Sequence, residues 1–397
     1  MGEEGGSAFR VAGWASQGRV HVSVPREVAC WSRVSARDPS TPEAILLGDR
    51  RCFREVSEVW GGRDPRSERG GPPGWLPVDL GVGFGGGKHV PKREAHFGEG
   101  PAPIWRALGS AVAEGLWTDP RVDVVTYRNN LIKIATTILQ ARDPWRVRCC
   151  RFERTLVLDI VMLPERSWAG SDKFSYYGYK FESLATAPTA PAVVHEPVDE
   201  TSEFNSVSRL RIGDYFIGMA AEIDGFRRQA RPSATKNAAY VELKTCQAPD
   251  EVLGRWRWDP WWFAPGSEAC RSSHQVERRA RKFRREKLPK FWFQSYIAGT
   301  PEVCVGWRDG RGALQFCSSY GIHDLANVCE GEWSPWTMLG FVHDVLRWID
   351  GAVGEAQCDC CADYNPGTRA IQFTADPASH VLREKLIHLP PLGAQPD

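Results

Sequence analysis

Methionine is scarce, at 4 of 397 residues, and net charge is scarcer: 50 lysines and arginines face 49 aspartates and glutamates, leaving +1. That balance argues against a histone-like polybasic binder, although it permits a nucleic-acid site built by local charge segregation. Also missing is any run of about 18 unbroken apolar residues, the length that spans a bilayer. The best stretch, Thr155 to Leu163, is short and carries Asp159, so no membrane role is expected. Met1 to Ser7 has neither the basic nor the apolar region of a secretory signal, and Gly6 stands where a myristoylation signal wants Ser or Thr. The expectation is a soluble intracellular protein.

A second C-x-x-C is lacking as well. Cys358 and Cys361 form the only such pair, and Cys149-Cys150 are adjacent, so the twelve cysteines read as reduced thiols rather than as a zinc site or a disulfide framework. What is plentiful is tryptophan, 17 residues, equal to phenylalanine. Such a load predicts large aromatic platforms, packed in the core or stacked on ligands, with packing favoured.

Hydrophobic 42% and charged 25% are globular proportions. At about 150 residues per domain the length allows two or three domains. The pattern is read as an irregular N-terminal segment over 1–70 that wraps the core, followed by a single domain over 71–397. Apolar residues at every fourth position predict a helix over Pro103 to Leu116, and Leu131, Ile134, Ala135, Ile138 and Leu139 predict another. Strands are expected at Val122 to Tyr127, Thr155 to Leu163, Tyr215 to Ile223 and Ala239 to Thr245, with a hairpin from Val303 to Cys317 turning at Asp309-Gly310. A basic helix is expected from Gln275 to Lys287, broken at Pro289, which opens a helix holding Gln294. The last helix runs from Trp336 to Ile349.

Two short strands each place ionisable residues two positions apart: Glu222-Ile223-Asp224 and Glu242-Leu243-Lys244. Side chains at i and i+2 of a strand share a face. If the strands are neighbours, three carboxylates and one ammonium converge. Buried carboxylates repel one another unless cations neutralise them, and hard divalent ions suit oxygen ligands. Two such ions would support in-line phosphoester hydrolysis, with Lys244 orienting water or stabilising charge on the phosphate.

These residues carry a family resemblance. Thr126-Tyr127-Arg128, Gly178-Tyr179-Lys180-Phe181-Glu182, Glu222-Ile223-Asp224 and Tyr240-Val241-Glu242-Leu243-Lys244-Thr245 resemble, in order, the four motifs of the eukaryotic decapping exoribonuclease family. Lys290 to Ser295, Gly299-Thr300-Pro301 and Val305-Gly306-Trp307-Arg308 are similar to the segment after its E-x-K strand. The resemblance extends from about Leu76 to Ile349. It implies an α/β fold, a mixed β-sheet core flanked by helices and related to the PD-(D/E)XK nucleases, with two Mg²⁺ or Mn²⁺ ions. Family members remove incomplete or aberrant RNA 5′ ends, including unmethylated caps, triphosphates and NAD caps, and several degrade RNA 5′ to 3′. Carried over, Glu182, Glu222, Asp224, Glu242 and the carbonyl of Leu243 would be metal ligands. Lys244 and Gln294 would position water and the scissile phosphate, while Arg128 would contact RNA phosphate. A nuclear location, with a cytoplasmic one as second choice, is implied on the same ground. The alternative is a non-catalytic RNA-binding adaptor that stabilises a nuclear 5′-to-3′ exoribonuclease. A DNA nuclease on the same core is disfavoured only by the resemblance.

Other signals count for less. Gly81 to Gly86 fits G-x-G-x-x-G, but Gly87-Lys88-His89-Val90-Pro91 cannot readily start the helix a dinucleotide fold needs, so a flexible loop near the RNA path is the preferred reading. The run from Arg278 to Lys290 holds eight basic residues against Glu277 and Glu286, and part of it is a candidate to track RNA phosphates. Trp256, Trp258, Trp261 and Trp262 sit in an enlarged segment read as lying at the surface. None of the nine histidines stands in a recognisable nucleophile triad.

Overall fold

The computed structural model describes residues 8–16, 18–34, 44–57, 76–86, 89, 122–152, 154–161, 163, 171–187, 193–228, 236–256, 259–354, 358–376 and 382. The helix expected over Pro103 to Leu116, and Trp258, lie outside these residues.

The β-branched and aromatic runs form strands in chain order: β1 (Ala8–Arg10), β2 (Arg26–Val34), β3 (Ala44–Leu47), β4 (Val78–Asp79), β5 (Val124–Tyr127), β6 (Trp145–Phe152), β7 (Thr155–Val161) and β8 (Glu203–Ile212). They continue with β9 (Tyr215–Glu222), β10 (Gly225–Phe226), β11 (Tyr240–Gln247), β12 (Glu302–Arg308), β13 (Ala313–Gly321), β14 (Asp359–Asn365) and β15 (Ala370–Asp376). Among the described residues they make two sheets. The larger has the order β1-β15-β14-β6-β7-β5-β9-β8-β2-β3 and the smaller β10-β11-β12-β13-β4. Both are mixed: β5 runs parallel to β7 and β9, and β11 parallel to β12, while the other pairs are antiparallel. Among the described residues of the N-terminal segment, β1 closes one end of the large sheet and β2 pairs with β8 near the other.

The helices are α1 (Arg128–Thr136), α2 (Ser171–Thr186), α3 (Asp250–Arg255), α4 (Glu268–Ser272), α5 (His274–Lys282), α6 (Leu288–Ala298), α7 (Ile322–Val328) and α8 (Pro335–Val353). In α8 the expected face, Leu339, Val342, Leu346 and Ile349, is fully buried in the main core with Leu131 and Ile134 of α1. Each such side chain contributes roughly 1.5–3 kcal/mol. α1 stops before Ile138 and Leu139. The hydroxyls of Thr136 and Thr137 donate to the carbonyls of Ile132 (2.8 Å) and Lys133 (2.7 Å), the local competition that favours helix ends.

A second apolar cluster presses α2 onto the small sheet through Tyr177, Phe181 and Leu184 against Val241, Leu243, Cys304 and Leu314. Gly306 makes this approach possible: a Cβ there would stand 2.9 Å from the Phe181 ring and 2.9 Å from Leu314. The contact seats Glu182, the next residue, over β11.

Pro289 does not break the basic helix. Between α5 and α6 the chain winds through one π turn, Phe283–Lys287, in which the N–H of Leu288 donates to the carbonyl of Phe283, five residues back. Proline lacks an N–H and clashes with the carbonyl four residues earlier; the wider turn absorbs both defects without stopping the helix.

Candidate active site

Glu222 is the last residue of β9 in the large sheet, and Asp224 immediately precedes β10 in the small one. The chain therefore crosses between sheets at Glu222-Ile223-Asp224. The two acidic strands are not neighbours in one sheet, as the sequence pattern suggested. Instead β10 pairs antiparallel with β11, Gly225 opposite Val241, which brings Asp224 beside the start of the E-x-K strand. β5 lies parallel to β9 with Tyr127 opposite Ala220, so Arg128, the first residue of α1, emerges at the same carboxyl end as Glu222. Ligands of open α/β sheets bind at such ends.

Six of the residues expected in the site are joined directly. Lys244 Nζ donates to Glu242 Oε1, to Asp224 Oδ2 (3.3 Å) and to the carbonyl of Leu243 (2.9 Å). Asp224 Oδ2 also accepts from the Leu243 N–H at 2.7 Å. Arg128 Nη1 donates to Glu242 Oε2 at 2.9 Å, and the Gln294 amide donates to Glu242 Oε1. Glu242 is buried at the centre, whereas Lys244 is partly open. Arg128, expected on substrate phosphate, is turned inward onto this carboxylate. Glu222 and Glu182 complete the set at longer range, the first acting on the charge of Arg128 and the second on that of Lys244.

The electrostatics are unequal. Burial pushes the Asp224 carboxyl up to about 6, reinforced by the Glu242 charge against the pull of Lys244 and Arg128. For Glu242, burial acts upward too, but Arg128 and Lys244 outweigh it and hold the carboxyl below its ordinary value. Lys244 is raised: burial opposes its charge, and Asp224, Glu242 and Glu182 overcome that. Among the described residues no three Asp, Glu, His or Cys side chains converge closely enough to hold an ion as they stand. The cations of this chain take the carboxylate oxygens, and Lys244 bridges Asp224 and Glu242. The donor set still fits a hard divalent cation. It consists of carboxylates and a main-chain carbonyl, the oxygen donors such a cation takes.

The remaining signals resolve outside this cluster. Trp262 is buried, its ring 5.2 Å from Trp307, and Trp256 and Trp261 are half-buried against the same core, so the tryptophan-rich segment packs as an inner layer. Residues 81–86 form consecutive turns after β4. Gly83 has φ +89, and a Cβ there would stand 2.8 Å from the Tyr176 hydroxyl, which itself donates to the Val82 carbonyl at 2.7 Å. All twelve cysteines carry free thiols. Arg284 had no distinguishing mark in the sequence. Within the basic run it is buried and holds Glu277, Glu332 and the Phe263 carbonyl; its signal would have been glutamates at helical and loop distance, a pattern too common to single out.

A mixed sheet whose E-x-K strand meets an acidic crossover defines the PD-(D/E)XK class of nucleases. Within that class, the family model described as RAI1 like PD-(D/E)XK nuclease matches residues 72–259 and 268–385, and the chain belongs to this family of hydrolases. The match continues past Ile349, where the resemblance read from the sequence stops. The decapping nuclease din1 of Schizosaccharomyces pombe is 25% identical over 88% of this chain and 94% of its own length. The human decapping and exoribonuclease protein is 27% identical over 58% of this chain, which spans about half of that relative, 54%. Among solved structures, Candida albicans Rai1 in complex with pU5-Mn2+ has a similar fold (TM-score 0.70, 16% identity, 98% of each chain covered). S. pombe Rai1 in complex with 3′-FADP has TM-score 0.65 at 21% identity, covering 93% of this chain and 99% of that one.

Proposed function

We propose that the protein is a divalent-metal-dependent RNA 5′-end hydrolase that removes incomplete or aberrant caps, namely unmethylated caps, triphosphates and NAD caps, and continues as a 5′-to-3′ exoribonuclease. The observation that carries this reading is the convergence of Asp224, Glu242 and the Leu243 carbonyl on Lys244, with Arg128 and Gln294 placed on Glu242. Glu182, Glu222, Asp224, Glu242 and the Leu243 carbonyl are the residues that would hold two Mg²⁺ or Mn²⁺ ions. Bound there, the metal would supply a Lewis acid for the phosphate and a water of lowered pKa. Lys244 keeps its ammonium charged beside the cluster, where it stabilises charge growing on a phosphate oxygen. Gln294 donates an amide hydrogen into the same space and fixes the orientation of Glu242. Arg128, which here donates to Glu242, would be the residue that contacts substrate phosphate.

Asp224 and Glu242 gathered on one lysine, with Glu182 and Glu222 near them, suit an enzyme, because an adaptor for a nuclear 5′-to-3′ exoribonuclease has no physical need for that set. Nuclear location belongs to the same proposal and is checked by imaging the tagged protein. The decisive experiment incubates the protein with 5′-monophosphate, triphosphate, unmethylated-cap and NAD-cap RNAs, with Mn²⁺ and with chelator. Metal-dependent products that vanish in the Glu222→Ala, Asp224→Ala double variant are expected. Absence of any product, or full activity in that variant, overturns the catalytic reading and leaves the adaptor.

A further inference from the structure

β10, the strand that follows Asp224, is two residues long and stands at the edge of the small sheet, paired with β11 at Gly225–Val241 and Phe226–Tyr240. So short a pairing is marginal by itself. Its outer edge is covered from the N-terminal segment, ahead of residue 72 where the family match begins. The Phe226 N–H donates to the Arg54 carbonyl at 2.9 Å, and the Val56 N–H donates to the Phe226 carbonyl at 2.7 Å. Residues 54–56 thus add a parallel bridge, Glu55 with Phe226, directly after Asp224.

The same segment places a ring where the two sheets meet. Phe53 stacks on Phe204 of β8 with 4.3 Å between ring centroids, lies 4.5 Å from Phe226 and meets Tyr240 edge-on at 5.4 Å. These three neighbours bracket the acids of the site. The Phe204 carbonyl accepts from the Ile223 N–H at 2.9 Å, Phe226 is two residues beyond Asp224, and Tyr240 is two residues before Glu242. Glu27 on β2 secures the arrangement. Its buried carboxylate accepts from the Tyr240 hydroxyl, from the Arg50 guanidinium and from Ser206 Oγ (3.2 Å), and Arg50 lies over the rings of Phe53 and Phe204. Farther on, the Ser57 N–H donates at 3.0 Å to the carbonyl of Ala185, three residues beyond Glu182 on α2.

We infer that Phe53 and Glu27 are positioning residues: with residues 50–57 they form a brace that sets the separation of Asp224 from Glu242, and with it the affinity for the divalent cation. The inference rests on the nuclease reading above. Oxygen ligands must stand at about 2.0–2.6 Å from a hard divalent ion, so a shift of either carboxylate weakens binding. Groups that hold ligands from behind therefore tune a metal site without touching the metal.

The test is the Mn²⁺ affinity of the full chain without substrate, read from the loss of the free-ion EPR signal. Phe53→Leu and Glu27→Gln are each expected to weaken Mn²⁺ binding about 10-fold. Phe53→Tyr keeps the ring and is expected to bind as the wild type does. Phe9→Leu removes a ring at the β1 end of the large sheet, where Phe9 packs 5.9 Å from Phe341, and is also expected to keep wild-type affinity. Should Phe53→Leu fail to fold, Glu27→Gln decides alone. Wild-type affinity in a folded Phe53→Leu or in Glu27→Gln, or an equal loss in Phe9→Leu, overturns the inference while the nuclease reading stands. No Mn²⁺ binding by the wild type overturns both.

Discussion

Two ion clusters make opposite use of charge. Around Arg284, two arginines meet two glutamates: Arg284 with Glu277 and Glu332, and Arg285 with Glu332. A backbone carbonyl, that of Phe263, takes a further donor at 2.6 Å. Charges balance, donors are filled, and the result fastens the π turn to the tryptophan layer and to the 329–333 loop. Around Glu242, Arg128 and Lys244 are held by Asp224 and Glu242, with Glu182 and Glu222 acting at longer range, and burial, reinforced by the Glu242 charge, raises the Asp224 carboxyl. A balanced cluster holds structure, whereas an unbalanced one is a site awaiting a cation or a substrate.

The strongest way to break this contrast is Arg284→Ala. Removing the buried guanidinium takes the partner from Glu277, leaves Glu332 with only the exposed Arg285 and strips the Phe263 carbonyl of its donor, and urea unfolding should show a loss of about 2–4 kcal/mol. Lys244→Ala should cost stability too, since it leaves Glu242 with Arg128 alone, but it should also lower single-turnover hydrolysis of a 5′-triphosphate RNA about 100- to 1000-fold, an effect Arg284→Ala does not share. A large stability loss without a rate effect would erase the distinction.

Next in size is a pH effect in chelator. The folded pKa of Asp224, about 6, lies above the unfolded value of roughly 3.9. Its contribution is thus fully present below the unfolded value and is lost as pH rises through about 6. Unfolding free energy should fall across that window by on the order of 2–3 kcal/mol, and Asp224→Asn should flatten the fall. A pH profile unchanged by the substitution would place the excess charge elsewhere. Smallest is Lys282→Ala, which breaks the exposed pair with Glu286; a shift within about 0.5 kcal/mol is expected, and a larger one would mean that the α5 face is not simply solvated.

Much of the site was legible because its motifs are local. Glu242-x-Lys244 needs only strand periodicity and the helix carrying Gln294 follows from Pro289 at its start, whereas the helix carrying Glu182 was not read from the sequence. Less legible was the sheet each strand joins. Glu222-Ile223-Asp224 looks like an ordinary strand end in the sequence, and only its pairing partners show it to be a crossover. Pro289 misled for the converse reason: its local rule ends a helix, yet burial of Leu288, Phe291 and Trp292 on the core side favours continuing the winding through a π turn. The surface reading of the tryptophan segment failed in the same way, since Trp262 gains its cover from Trp307 and Phe283, distant in sequence.

By itself, the sequence determined which residue types were available and in what local spacing: acids and a lysine at strand period, and a charge total close to zero. Those follow from backbone geometry within a few residues. Tertiary structure alone decided that the near-zero total separates into one balanced cluster and one acidic site. Burial, pairing and dielectric depend on neighbours brought from far along the chain, and no local rule carries that information.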